Sequence, residues 1–88
     1  MKDESITFTG RQIAAARTLV GMRQEELAAA ARISAPTLRR MELSEGVPGG
    51  MTNNLLAVRA ALEAAGVVFQ AEGETVDGGP GVRLRKKI

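Results

Sequence analysis

Residues 17–42 read RTLVGMRQEELAAAARISAPTLRRME, and this stretch divides into two short helices around a tight turn. The earlier helix runs from Gln24 to about Ala31. Glu25 and Glu26 occupy its opening turn, where the partial positive charge of the helix dipole favours acids, and Leu27, Ala28 and Ala31 share an inward face. Ile33 lies in the turn. Ser34 is a preferred N-cap for the later helix, whose second residue is Pro36, a position that tolerates a missing N–H. In that helix Leu38 and Met41 point inward at i and i+3, which leaves Ala35, Pro36, Thr37, Arg39 and Arg40 outward or at the edges. The two arginines are thus expected on the exposed side.

Upstream, Thr9 precedes Gln12 by three residues, the spacing of a capping box, so a helix is expected from there to about Val20, closed by Gly21 in a left-handed conformation. Its inward stripe would be Ile13, Ala16, Arg17 and Val20. Residues 1–8 read as a flexible N-terminal arm with a short extended piece at Ile6-Thr7-Phe8. Downstream, Gly46, Pro48, Gly49 and Gly50 form a loop, after which Thr52 or Asn53 caps a longer helix to about Ala65. Leu55, Val58, Leu62 and Ala65 make one apolar stripe on it. Beyond Gly66, Val67–Ala71 is β-prone, residues 72–81 form a polar Gly/Pro loop, and Val82-Arg83-Leu84-Arg85 alternates apolar with basic, the pattern of a β-hairpin. A two-stranded hairpin is marginal alone in water, so this one should pack on the helices or pair with a second subunit.

At 88 residues the chain has the size of one small domain, and with two Phe and no Tyr or Trp its core must be built from Leu, Ile, Val, Met and Ala. There is no Cys and no His, which removes disulfides, thiolate metal sites and the commonest general base. Glu25 and Glu26 diverge on their helix, no Ser has a His to activate it, and no phosphate-binding Gly motif is present. We therefore expect no enzyme activity, no metal and no cofactor. No apolar run approaches the roughly 20 residues needed to cross a bilayer, and the N-terminus lacks a leader pattern, so a cytoplasmic protein without membrane association is expected. The formal net charge of +2 is unevenly divided: residues 11–41 carry six Arg against two Glu, residues 42–77 carry a net −5, and residues 78–88 carry +4. Such a division can turn a basic face toward a polyanion.

The segment Gly21-Met22-Arg23-Gln24-Glu25-Glu26-Leu27-Ala28 resembles the Gly-Leu-Ser-Gln-Glu-Glu-Leu-Ala of the phage-repressor type of helix-turn-helix family, the lambda repressor and Cro-like or xenobiotic-response-element group. Ile33-Ser34-Ala35-Pro36-Thr37-Leu38-Arg39-Arg40-Met41-Glu42 is similar to the family's recognition helix, Val-Ser-x-x-Thr-Ile-x-x-Ile-Glu. The position of Arg17 relative to Glu42 is a third match. The resemblance covers residues 9–65 and implies a mainly α fold, a four- to five-helix lambda-repressor-like DNA-binding domain, followed by a short C-terminal β-hairpin or strand extension over residues 66–88 that assists dimerisation.

The resemblance further implies a partly buried ion pair between Arg17 and Glu42 that locks the reading helix to the first helix. It implies a phosphate contact at Gln24, with Arg23 adding positive charge nearby, and a groove-facing surface on Ser34, Ala35, Pro36, Thr37, Arg39 and Arg40. Arg40 is the expected base contact, since Arg matches the O6 and N7 acceptors of guanine, while Arg39 can serve a phosphate instead. Arg23 stands where the family has a Ser or Thr cap, Arg32 where it often has the turn Gly, and Leu43-Ser44-Glu45 intervenes before Gly46. The implied function is a sequence-specific double-stranded DNA-binding transcriptional regulator, a repressor acting as a homodimer on a palindromic operator. The alternative is an antitoxin or other protein-binding module of the same fold, with the tail as the surface for a toxin partner.

Overall fold

The computed structural model describes residues 8–44, 52–70 and 78–85. The expectations for residues 1–7, for the loop at Gly46, Pro48, Gly49 and Gly50, for residues 71–77 and for Lys86 and Lys87 lie outside them. The described chain is mainly helical: α1 (Gly10–Leu19), α2 (Gln24–Ala31), α3 (Ala35–Glu42) and α4 (Thr52–Ala64) precede an antiparallel pair, β1 (Val67–Gln70) and β2 (Gly81–Leu84). No helix among the described residues is long and apolar enough to span a membrane.

The helix boundaries follow from local hydrogen bonding. Thr9 N donates to Gln12 Oε1 at 2.7 Å and Gln12 N donates to Thr9 Oγ1 at 3.1 Å, a complete capping box that satisfies two otherwise orphaned donors. At the other end of α1, Met22 N reaches Arg17 O and Gly21 N reaches Thr18 O, with Gly21 at φ 78°. This is the Schellman arrangement, and it turns the chain into α2.

Each helix and β1 places at least one side chain in a common core. Ile13, Leu27, Leu38, Val58, Leu62 and Val67 are all fully buried, and burial of each such side chain contributes about 1.5–3 kcal/mol. The inward face of α1 differs from the expected stripe. Ile13 and Ala16 are buried, but Arg17 and Val20 are only half-buried, and Gly10 and Gln12 take the remaining interior positions.

Phe8, assigned from sequence to the flexible arm, is instead 2% exposed. Its ring lies 5.0 Å from that of Phe69 on β1, and the Arg59 guanidinium sits 6.0 Å from its centroid. An aromatic side chain with this much apolar area to remove from water folds back onto the sheet rather than staying with a polar arm.

The hairpin register pairs Val67 with Leu84, Val68 with Arg83, Phe69 with Val82 and Gln70 with Gly81. The amide of Gln12 holds the end next to the connecting loop, at the Gln70–Gly81 pair. Gln12 Nε2 donates to Gln70 O at 3.1 Å and to Gly81 O at 2.8 Å, one bond to each strand, while its Oε1 serves the α1 cap. Together with buried Val67, this makes the hairpin continuous with the helical core. We expect Gln12→Leu, which keeps side-chain bulk but leaves two carbonyls and the Thr9 N–H without their partner, to cost about 2 kcal/mol. Amide hydrogen exchange should show the hairpin opening before the helices, and uniform protection across both would contradict the clamp.

Candidate nucleic-acid interface

The posture of α3 is set at both ends. At its start, Ser34 Oγ accepts from Thr37 N at 3.1 Å and donates to Thr37 Oγ1 at 2.8 Å. The Thr37 oxygen is thereby an acceptor, which leaves its own hydroxyl proton to donate outward.

At its end, Glu42 receives three bonds. Arg17 Nε reaches Oε2 at 2.7 Å and Arg17 Nη2 reaches Oε1 at 3.0 Å, a bidentate pair, while Gln24 Nε2 reaches Oε1 at 2.9 Å. Arg17 Nη1 also donates to Met22 O at 3.1 Å. The carboxylate thus ties α1, the start of α2 and the end of α3, and Arg17 carries the link on to the α1–α2 connection. The Glu42 side chain is 6% exposed and that of Arg17 is 19% exposed. The hydrogen bond to Glu42 outweighs burial and raises the Arg17 pKa above its ordinary value, so the guanidinium stays charged.

With Leu38, Met41 and Glu42 turned inward, the opposite face of α3 and its C-cap carries Pro36, Arg39, Arg40 and Leu43, all exposed. These positions stand at i, i+3, i+4 and i+7, one stripe of a helix. Arg39 and Arg40 have no ion-pair or side-chain hydrogen-bond partner among the described residues. Ala35 and Thr37 sit half-buried at the edges, and Ala35 packs against the core, so less of Ala35 faces outward than of Pro36. Leu43, at 76% exposure, extends the stripe with an apolar side chain.

The start of α2 has a cap in one direction only. Arg23 N donates to Glu26 Oε1 at 2.7 Å, but the Arg23 side chain carries only donors and cannot return the bond. That backbone N–H holds the Glu26 carboxyl below its ordinary range. Arg23 is exposed, with Nη2 3.6 Å from Glu26 Oε2. Gln24 is half-buried and its amide nitrogen is engaged with Glu42, which leaves its second amide hydrogen and the free N–H groups of the helix start for an anion. The Gln24–Glu42 bond joins residues 18 apart, and no local pattern signals it. Arg32 closes α2 at φ 61°, ψ 43°, so the chain keeps the left-handed turn with an Arg in the position usual for Gly.

Comparison with curated proteins finds no match. Residues 13–57, just over half of the chain, match the Helix-turn-helix family. This span holds α1 from Ile13, all of α2 and α3, the Arg17–Glu42 pair and the beginning of α4. The protein therefore belongs to the lambda repressor and Cro-like helix-turn-helix family and is a regulator that binds double-stranded DNA.

Proposed function

We propose that the protein is a cytoplasmic transcriptional repressor that binds a palindromic operator as a homodimer, with α3 of each subunit in the major groove. The supporting observation is the exposed face of α3, where Arg39 and Arg40, without an ion-pair partner among the described residues, project from a helix anchored behind by Glu42 and by Leu38. An eight-residue helix is about 12 Å long, so one copy reads a single half-site. Two copies on a two-fold axis would place their α3 helices about 34 Å apart, in successive major grooves. Extents of 34 × 32 × 24 Å allow neighbouring subunits this spacing. The hairpin, with Leu84 47% exposed, is the proposed subunit contact, because a two-stranded sheet gains by further pairing. Occupying an operator that overlaps a promoter is enough to exclude polymerase.

In this reading Arg40 contacts a guanine edge. Arg39, Arg23 and the start of α2 at Gln24 bind phosphates, and Ser34, Ala35, Pro36 and Thr37 line the groove. Arg40→Ala should lower the preference for operator over random DNA by about tenfold, the equivalent of roughly 1.4 kcal/mol. The operator would first be selected from genomic fragments, and fluorescence anisotropy at fixed salt would give both affinities. An unchanged ratio removes Arg40 from the reading surface, and a folded protein that ignores every duplex at low salt removes the whole proposal.

A further inference from the structure

Three helices end in a residue with positive φ, and they do so with different residues. Gly21 follows α1 at φ 78° and Gly66 follows α4 at φ 106°, whereas α2 closes on Arg32 at φ 61°. The α1 and α2 endings share one hydrogen-bond pattern. Met22 N to Arg17 O and Gly21 N to Thr18 O at the end of α1 correspond to Ile33 N to Ala28 O and Arg32 N to Ala29 O at the end of α2. The backbone requirement is therefore the same, and Gly meets it without the steric penalty that a Cβ brings in this conformation. No hydrogen bond or ion pair of the Arg32 side chain among the described residues offsets that penalty, and the residue is exposed. A non-Gly residue held in a sparsely populated conformation without internal recompense points to a role outside the fold.

The position of Arg32 supplies the role. It stands two residues before the Ser34 cap, within about 7 Å of chain from the start of α3, the end that the proposed docking puts into the groove. It also stands at the opposite end of α2 from Arg23 and Gln24. Eight helical residues separate these ends by about 12 Å, close to the width of the major groove of about 12 Å.

We propose that Arg32 is a backbone clamp, its guanidinium binding a phosphate of the strand that borders the groove opposite the strand held at the start of α2. This rests on the DNA-docking reading above. The clamp would add affinity and fix the angle of α3 without reading sequence.

The test is Arg32→Gly in the full chain, with Arg32→Lys beside it. For Arg32→Gly, thermal denaturation should show Tm raised by roughly 4 °C, because the strained turn is relieved. Anisotropy titrations with random-sequence duplex should show affinity lowered about five- to tenfold per subunit near 0.1 M salt. The slope of log K against log salt should become shallower by about 0.9 per subunit. Arg32→Lys should keep the wild-type Tm and most of the slope.

A lowered Tm for Arg32→Gly would mean that the cation serves the negative end of the α2 dipole and would overturn the proposal. So would an unchanged slope while wild-type protein binds DNA. If wild-type protein binds no duplex, the docking reading fails first and the clamp fails with it.

Discussion

Glu42→Ala should lower stability by about 3 kcal/mol and Tm by more than about 10 °C, measured by urea and thermal unfolding. The carboxylate accepts from Arg17 Nε, Arg17 Nη2 and Gln24 Nε2 at 2.7–3.0 Å. Its removal leaves a guanidinium in a site where the side chain keeps 19% exposure. The bond from Arg17 to Met22 O persists and water reaches part of the group, so the low end of the range for a broken buried pair applies. Replacing both charges, as in Arg17→Met with Glu42→Leu, should recover much of the loss, because neither charge then has to be desolvated. The raised Arg17 pKa contributes stability that is fully present below its ordinary value and is lost only as pH rises through the folded value. The Arg17 side of this effect should therefore be flat across neutral pH. The DNA consequence is separate from the stability consequence: with Glu42 gone, the end of α3 loses its side-chain hydrogen bonds to α1 and α2, and operator affinity should fall even at temperatures where the protein remains folded. A loss below about 1 kcal/mol for the single variant, or a double variant weaker than Glu42→Ala, would show that the pair does not hold α3.

The elements most legible in the sequence are those fixed by neighbours in the chain. Thr9 with Gln12 and Ser34 with Thr37 act over three residues, so the starts of α1 and α3 can be read directly. Likewise, the exposed stripe at Pro36, Arg39 and Arg40 follows from where Leu38 and Met41 must point. The closeness of Arg17 to Glu42, 25 residues away, came from resemblance to a family and not from local pattern. Less legible were contacts in which one residue serves two distant partners. Gln12 read as a cap, yet its amide also binds carbonyls 58 and 69 residues away. Gln24 reads in the sequence as a phosphate ligand, and the contact the structure gives its amide is the brace on Glu42. Phe8 read as arm because Met1-Lys2-Asp3-Glu4-Ser5 is polar, and only the position of Phe69 shows what covers its ring. Tertiary placement decides these cases, and periodicity carries no information about it.

Gly10→Ala sets local propensity against packing, and packing should win. In an isolated helix the substitution gains about 1 kcal/mol, since Gly is the poorer helix former. Here Gly10 is buried in the first turn of α1, and a Cβ would press on Met41 O and come within 2.6 Å of Ser44 O and 3.1 Å of Ser44 N. These are backbone atoms of the last turn of α3 and of the residue after its cap, so no rotamer change can relieve the clash. Met41 O is also the acceptor for Ser44 N at 3.2 Å, and moving either atom disturbs that turn. Overpacking of this kind costs about 3 kcal/mol, enough to outweigh the propensity gain and leave a net loss of roughly 2 kcal/mol. Because the displaced segment is the end of the proposed reading helix, Arg40 would shift with it, and operator affinity should fall more than affinity for random DNA. Chemical denaturation together with paired anisotropy titrations would test both parts. Equal or greater stability in Gly10→Ala would show that α1 and α3 can separate without cost, and the rigid mounting of the exposed arginines would then need another source.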